Sequence, residues 1–318
     1  SIMKKKENQQ NYELLKQLCA IHAPSGNEVA MKEFVLSYVK QQAKHWKHKP
    51  QVIHGKGFQD NIILVFGKPR TAVFAHMDSI GFTVRYGKQL VKIGGPVTKN
   101  GFKLRGSDSK GQQDAVLHIV EEKDGHKRLE YKAKRDFERG TELVFVPEWR
   151  EDKEFVQCCY MDNRLGVFNA LKVAETLKDG VIVFSSWEEH GGGSVSYLQK
   201  FVYEKYKVRQ GLISDISWIS DGVHYAKGPV ISMRDSLIPR RSFIQRIIAL
   251  ADEHRCAYQL EVEGSGGSDA KELQMSAYPW DWCFIGAAEE HVHTPDEKVH
   301  KKDIEGMMKL YKVLMKEL

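Results

Sequence analysis

The sequence predicts an α/β fold in which a central mixed sheet is flanked by helices and interrupted by a small inserted all-β domain. Helical periodicity alternates with short apolar strands in residues 1–83 and again in residues 158–318. Residues 84–157 instead carry short β-rich segments separated by turns of Gly, Asp, Asn and Lys. Several strands outside this middle stretch end in a histidine or an acid. We therefore predict one α/β domain from 1–83 and 158–318, and an inserted domain at 84–157.

The first elements are two helices followed by two strands. Apolar residues recur at helical spacing over 11–22, and the breakers at 24–26 end that pattern. A second helical run covers 27–38. The apolar segments 62–66 and 71–75 favour strands, and the second leads directly into a histidine.

The middle of the chain predicts strands at 89–93, 115–120, 128–133 and 142–146. Helical periodicity is absent there, which indicates a small all-β unit, either barrel-like or PDZ-like. A simple β-extension of the main sheet is the alternative that the pattern leaves open.

Helices and strands alternate again in the last part of the chain. The predicted elements are a strand at 156–160, a helix at 165–177, a strand at 180–186, a helix starting at 194–200, a strand at 211–215, a helix at 242–254, a strand at 282–286 and a helix at 304–318.

The composition is that of an ordinary globular protein. Hydrophobic residues make up 42% and charged residues 28% of the 318, which excludes collagen, a disordered tail and a disulfide-stapled miniprotein. The net charge is only +6, and its lysines gather near the termini, as in MKKK at 3–6, and at 40–48. Because no basic stripe interleaved with aromatics occurs, nucleic acid is not an expected partner.

Cysteine usage and the N-terminal residues bear on compartment. The five cysteines are odd in number and show no C-x-x-C spacing, so a zinc ribbon or a disulfide framework is not expected. The sequence SIMKKKENQQ lacks the apolar run of a signal peptide, and no run of about 18 apolar residues predicts a membrane span. A cytoplasmic protein is therefore the expectation.

Potential metal ligands follow one predicted strand after another. They are His76 with Asp78, then Asp162, the pair Glu188-Glu189, Asp215, and the segment His291-Val292-His293. Each alone has an ordinary explanation, because acids cap helices and single histidines are common at surfaces. Five in succession favour a shared site, since parallel strands bring their carboxyl ends to one edge of a sheet.

These ligand types suit two divalent ions. Imidazole and carboxylate bind Zn²⁺, Co²⁺ or Mn²⁺, and two histidines with three carboxylates can hold two ions if one carboxylate bridges. Such a pair activates water at neutral pH. One glutamate of the 188–189 pair is left over, and Glu188 could move the proton.

The motifs resemble those of the glutamyl aminopeptidase, or tetrahedral aminopeptidase, group of metallopeptidases (metallopeptidase family forty-two), which are zinc-exopeptidase-like in fold. In order along the chain, the matching segments are PSGNE at 24–28, AHMDSIGF at 75–82, MDNRLG at 161–166, WEEHG at 187–191, SDIS at 214–217, KGPVISMRDS at 227–236, GSGGSDA at 264–270 and HTPDE at 293–297.

The resemblance implies a role for each matching residue. His76 and Asp215 are implied to bind one metal, Glu189 and His293 the other, and Asp162 to bridge the two. Glu188 is implied to be the general acid/base, and Asp78 to orient the histidine two residues before it. Thr294-Pro295 matches the family motif, which favours His293 over His291 as the ligand.

The chain also departs from the family pattern. Asn163 stands where the family has a second acid, and Trp187 and His190 flank the paired glutamates in place of Gln and Val. The inserted domain is short. These departures bear on substrate preference, activity and assembly.

The expected function is a two-metal aminopeptidase that removes N-terminal residues from peptides through metal-bound hydroxide, with zinc or cobalt as the metal. The alternatives are a deacylase of small N-acyl compounds and a non-catalytic relative that acts in binding or assembly. The resemblance implies a homo-oligomer of twelve subunits, although the short insert leaves a smaller assembly open, and no membrane partner is expected. The preferred N-terminal side chain, the native metal and the assembly size stay open.

Overall fold

The structure is a computed structural model that describes residues 11–318; the MKKK cluster and the rest of the segment examined for a signal peptide lie outside the described residues. The described part contains seven α-helices. They are α1 (Glu13–Cys19), α2 (Val29–Gln42), α3 (Met161–Ala174), α4 (Ser194–Tyr206), α5 (Arg241–Glu253), α6 (Ala270–Gln274) and α7 (Lys301–Glu317).

Seventeen strands accompany them within the same residues. They are β1 (Gln51–Gly55), β2 (Gln59–Phe66), β3 (Thr71–His76), β4 (Gly81–Val84), β5 (Gln89–Ile93), β6 (Lys103–Asp108), β7 (Gly111–Glu121), β8 (Lys127–Lys132), β9 (Glu142–Phe145), β10 (Arg150–Glu151), β11 (Phe155–Gln157), β12 (Gly180–Ser185), β13 (Gln210–Trp218), β14 (Val230–Arg234), β15 (Gln259–Val262), β16 (Asp281–Glu290) and β17 (Lys298–His300).

Eleven of the strands form one mixed sheet, which confirms the predicted fold class. Its order is β1-β2-β12-β3-β13-β16-β17-β11-β10, with β14 pairing β16 and β15 pairing β14. The central strands β12, β3, β13 and β16 run parallel to one another, whereas β2, β14 and β17 run antiparallel to their neighbours in that group. The carboxyl ends of four adjacent strands therefore meet at one edge.

Helices cover both faces of this sheet. Along β2, Ile62 and Leu64 pack on the face covered by α1, α2, α3, α5 and α7, whereas Ile63 and Val65 pack on the face covered by α4 and α6. Because both faces are buried, the central strands are continuously apolar rather than alternating. That burial explains why short apolar runs identified these strands in the sequence.

The other six strands close into a barrel in the order β4-β5-β8-β7-β6-β9, so the barrel-like form of the predicted all-β unit is correct. The barrel strands lie within 81–145. Strands β10 and β11 at 150–157 pair with the large sheet instead. The proposed division of the chain into domains at 84–157 stays a prediction.

Two further properties of the described chain concern its cysteines and its helices. All five cysteines are buried, and none forms a disulfide. Within residues 11–318, none of the helices combines the length and apolar character that a membrane crossing requires.

Candidate metal centre

The site forms where the four parallel strands end. His76 is the last residue of β3 and lies beside Ser185, the last residue of β12. Strand β13 supplies Asp215, and the turn after β16 supplies His293. The predicted edge of the sheet thus brings these side chains together, because neighbouring parallel strands deliver their ends to the same place.

Two of the predicted strand-end positions, Asp215 and Asp162, differ in detail from the structure. Asp215 lies inside β13, because that strand continues its pairing with β16 as far as Trp218. Asp162 lies in the first turn of α3 and not at the end of a strand, because β11 stops at Gln157 and Tyr160 turns the chain through a left-handed conformation with φ of 65°. The first turn of α3 is non-helical at Asp162.

The paired glutamates also have a different backbone from the one predicted. Trp187 has φ of 64° and bends the chain away from β12, so Glu188 and Glu189 lie in a short 3₁₀ turn rather than on an extended strand end. Successive residues of a 3₁₀ helix are rotated by about 120°. The two carboxylates therefore point in different directions because of the 3₁₀ rotation, and not because of the alternation of side chains along an extended strand.

One group of ligand atoms surrounds His76. Its Nε2 atom lies 3.2 Å from a carboxylate oxygen of Glu188, 3.3 Å from one of Asp162 and 3.4 Å from one of Asp215. The imidazole is almost fully buried. Despite these short distances, Nε2 has no partner in hydrogen-bond geometry.

A second group surrounds His293. Its Nε2 atom lies 3.0 Å from the other oxygen of Asp162 and 3.4 Å from an oxygen of Glu189. The remaining oxygen of Glu189 is buried and lacks a hydrogen-bond partner. Asp162 thus turns one oxygen toward each histidine.

The donor atoms form three compact sets in the described residues, each with its atoms within 4.8 Å of one another: His76, Asp162 and Asp215; Asp162, Glu189 and His293; and His76, Glu188 and Glu189. Imidazole and carboxylate together are the donors that Zn²⁺, Co²⁺ or Mn²⁺ accept. Buried donors without partners, such as His76 Nε2 and Glu189 Oε1, fit a metal better than a hydrogen-bond network.

The histidines respond strongly to the surrounding negative charge. Burial opposes the charged form of His76, yet Glu188 and Asp215 raise the pKa of this imidazole well above its ordinary value. For His293, burial again opposes protonation, but the hydrogen bonds to Asp162 and Glu189 raise its pKa to about 12. A divalent cation that binds between these groups competes with protons for the same ring nitrogens.

The same environment raises the pKa of three of the carboxyl groups and lowers that of the fourth. Burial raises the pKa of Glu189 to about 8 and that of Asp215 to about 6. Burial, followed by the nearby carboxylates, raises the pKa of Glu188 well above its ordinary value. Burial acts in the same direction on Asp162, but the two histidines outweigh it and hold the pKa of this carboxyl below its ordinary value.

Asp78 lies behind the cluster and connects its parts. One of its oxygens lies 3.2 Å from His76 Nδ1 and accepts the backbone N–H of Glu188 at 3.1 Å, and the other accepts the N–H of Glu189 at 3.0 Å. The hydroxyl of Ser25 donates to Asp78 at 2.5 Å. The PSGNE segment therefore contributes to the site through its serine.

Glu297 is a site residue that the strand-end argument did not single out, although it belongs to the HTPDE segment. Its carboxylate accepts the backbone N–H of Asp162 at 2.8 Å and that of His293 at 3.0 Å. Its side chain is almost fully buried. One acid thus fixes the backbone of two proposed ligands, Asp162 and His293, that are 131 residues apart in the chain. In the sequence, the only local sign of this role was the position of Glu297 four residues after His293.

Asn163 and His190, which depart from the family pattern, form hydrogen bonds that connect the site to neighbouring segments. Asn163 donates its side-chain amide to the carbonyl of Ser214 at 2.9 Å and accepts the N–H of Gly166 at 3.1 Å. A carboxylate could not make the first of these bonds without a proton. His190 accepts the N–H of Gly94 at 2.8 Å and so ties the glutamate turn to the segment after β5.

The two candidate histidines near the C-terminus differ in position. His293 faces the carboxylates, whereas His291 is exposed and belongs to none of the three donor sets found in residues 11–318. Spacing alone did not separate them. A left-handed backbone at both residues breaks the extended geometry that would have aimed them alike.

Comparison with known proteins gives consistent matches. The sequence profile of the M42 glutamyl aminopeptidase family matches residues 123–310. A lysyl aminopeptidase of Pyrococcus furiosus is 23% identical over 97% of this chain and 97% of its own. An aminopeptidase of the archaeon Desulfurococcus kamchatkensis superposes with a TM-score of 0.82 at 21% identity, over 96% of this chain and 94% of its own. A TET1 peptidase of Pyrococcus horikoshii, which can assemble into a tetrahedron or a large octahedral shell, gives 0.77 at 23% identity, over 96% and 99%.

Proposed function

We propose a catalytic assignment from the premise that this chain belongs to the M42 glutamyl aminopeptidase family. The protein is a metal-dependent aminopeptidase. The observation that carries our assignment is the sharing of Asp162 between two donor sets, one with His76 and Asp215 and one with Glu189 and His293. We assign two divalent ions to these sets, zinc or cobalt, with Asp162 as the bridge.

The side chains around the sets divide the remaining work. Bound divalent ions polarise a carbonyl oxygen and lower the pKa of water. Glu188 lines the same cavity as Asp162, Glu189, Asp215 and His293, and we assign it the transfer of a proton from the attacking water to the leaving amine. The carboxylates of the site that line this cavity can also bind the protonated α-amino group of a peptide substrate. Such binding favours cleavage at a free N-terminus.

A comparison of free and blocked substrates tests this function. With Zn²⁺ or Co²⁺ added, aminoacyl amides with a free amine are expected to be hydrolysed, and their N-acetylated forms are not. Faster hydrolysis of the N-acyl compounds would point to the deacylase alternative. Metal binding without turnover of either set would point to the non-catalytic alternative.

Asp78→Asn is expected to lower metal affinity or kcat by about 10–100-fold, because outer partners of a metal-binding histidine hold its tautomer and orientation. Burial alone would raise the pKa of Asp78, but His76, the Ser25 hydroxyl and the backbone N–H of Glu189 together lower it, so the group is charged. Metal titration and steady-state kinetics measure the effect. Ser25→Ala removes one bond to Asp78 and is expected to cost less; equal values for wild type and Asp78→Asn would contradict the role.

We propose that the chain acts as a homo-oligomer of twelve subunits, in which the barrel supplies subunit contacts and restricts access to the site. The tetrahedral or octahedral assembly of the TET1 relative supports this proposal. The loop after β5 already touches the site, since Gly95 O lies 3.0 Å from His293 Nδ1. The buried free thiols are compatible with the cytoplasm, where we place the protein.

Replacing 82–144 by a short linker is expected to shrink the particle and to leave the metal site able to form, with weaker binding at His293 because the Gly95 carbonyl beside its Nδ1 is removed. The two ends of this segment are adjacent because Phe82 pairs with Leu143, and all proposed ligands lie outside it. Light scattering gives the subunit number from the 36.4 kDa chain mass, and metal content reports the integrity of the site. An unchanged subunit number would remove the proposed role of the barrel.

A further inference from the structure

A cavity of about 400 Å³ opens at the metal centre. Four of the five proposed ligands, Asp162, Glu189, Asp215 and His293, line it together with Glu188. Its wall also contains three more carboxylates, those of Asp235, Glu261 and Glu263, none of which belongs to the donor sets. No lysine or arginine lines the cavity among the described residues.

Strand geometry relates the two groups of acids. Ser217 follows the proposed ligand Asp215 by two residues on β13, so both side chains point to the same face of the sheet about 7 Å apart. The Ser217 hydroxyl donates to the Glu261 carboxylate. Glu261 is therefore linked, through Ser217, to the same strand and the same face that carry the proposed ligand Asp215.

A buried hydroxyl provides a second, independent indication of a ligand. Ser232 on β14 is only 2% exposed, and its Oγ has no hydrogen-bond partner in the described structure although it lines this cavity. It lies opposite Glu261 in the register of β14 and β15. A buried hydroxyl left unpaired is unfavourable unless a bound group supplies its partner.

Arg234, which directly precedes Asp235, forms no ion pair with these acids within residues 11–318. Arg234 directs its Nε to the backbone oxygens of Asp235 and Glu263, each at 3.2 Å, and is not part of the cavity wall. Burial raises the pKa of Asp235 and of Glu261, which shows how poorly their charges are solvated. A cation that enters the cavity relieves this cost.

Part of the remaining wall is apolar and fits an aliphatic stem. Ile216, Trp218 and Phe284 also line the cavity. Lysine and arginine carry their charge at the end of a flexible methylene chain, and such stems bury well against apolar surfaces. An apolar wall with carboxylates and a free hydroxyl near it is complementary to this kind of side chain.

We propose that this cavity receives the side chain of the substrate's N-terminal residue and selects lysine or arginine there. The inference rests on the proposed function, since it takes the metal centre as the place of cleavage. The proposal also argues against a preference for N-terminal glutamate in this chain, because a negatively charged glutamate side chain would meet three negatively charged carboxylates.

Kinetics on matched substrates test the selection. The amides that lysine and norleucine form with 7-amino-4-methylcoumarin differ mainly by the ammonium group at the end of the lysine side chain. The corresponding amides of arginine and glutamate extend the series. We expect kcat/KM for lysine to exceed that for norleucine by at least about tenfold, as for a charge-assisted hydrogen bond, and glutamate to be the poorest substrate. A faster norleucine or glutamate substrate would overturn the proposal.

Variants identify the residues responsible. Glu261→Gln is expected to lower kcat/KM for lysine by about tenfold and to leave norleucine within about twofold. Glu263→Gln, at an exposed position, gives a second test that does not disturb a buried site. Glu148→Gln, an exposed acid on the segment after the barrel, serves as the control and should change neither substrate. Equal losses for lysine and norleucine in both cavity variants would contradict selection by charge.

A binding experiment separates this inference from the proposed function. Calorimetry on the zinc-loaded protein compares lysinamide with norleucinamide. If no amide is hydrolysed but lysinamide binds at least about tenfold more tightly, the function fails and the cavity assignment stands. If peptides are hydrolysed but the two amides bind equally, the function stands and the cavity assignment fails.

Discussion

Glu188→Gln is expected to lower kcat by at least about two orders of magnitude while KM changes little and both metals stay bound. A positioned general acid/base typically contributes about 10²–10⁴ in rate, and its removal acts on the transition state rather than on substrate binding. The assignment rests on geometry: Glu188 lines the cavity, and its carboxylate lies 3.2 Å from His76 Nε2. Steady-state kinetics and metal analysis of the same preparation measure both quantities.

The neighbouring Glu189→Gln is the matched control, because it makes the same chemical change one residue away. We expect it to weaken one metal, so that added Zn²⁺ or Co²⁺ partly restores activity. The comparison is informative because the structure also contains a donor set of His76, Glu188 and Glu189. Loss of metal from the Glu188 variant with retention in the Glu189 variant would reverse the two roles.

Asp162→Ala is expected to lose both metals and at least about three orders of magnitude in kcat/KM. A bound ion contributes several kcal/mol to transition-state stabilisation, and each 1.36 kcal/mol corresponds to a factor of ten in rate. Asp162 is the residue shared by the two donor sets, with one oxygen 3.3 Å from His76 Nε2 and the other 3.0 Å from His293 Nε2. Metal content after dialysis, determined by mass spectrometry, gives the stoichiometry.

Asp215→Ala provides the comparison for the bridging role, since Asp215 belongs to only one of the three sets. It is expected to retain about one metal per chain where wild type holds two. Circular dichroism checks that both variants fold. A wild type that saturates at one metal, or an Asp162→Ala variant that keeps two, would contradict the shared site.

The prediction of the fold succeeded where burial leaves a local pattern. The central strands are buried on both faces, so segments such as 71–75 and 180–186 were visible as apolar runs. Strand β17 and the short β10 carry no such pattern, because a strand of two or three residues is defined by its pairing partner alone. Four of the six barrel strands, β5, β7, β8 and β9, were visible as β-rich segments, whereas β4 and β6 were not predicted. Only the pairing of β4 with β9 closes the six into a barrel.

The sequence by itself determined the residue types of the site and their order along the chain. Histidine and acids after successive apolar strands, together with the family motifs, indicated the residues that the structure brings together. Each of these signals is local: a strand pattern, a motif or a single spacing.

Only the tertiary structure decided how the side chains are aimed and what supports them. Asp162 faces both histidines because a left-handed residue at Tyr160 and the carboxylate of Glu297 fix the start of α3. The acids at 235, 261 and 263 share a cavity wall with the metal centre because β14 and β15 join the sheet beside β16. Neither arrangement has a local signature, since contacts between distant segments depend on strand pairing across the whole sheet.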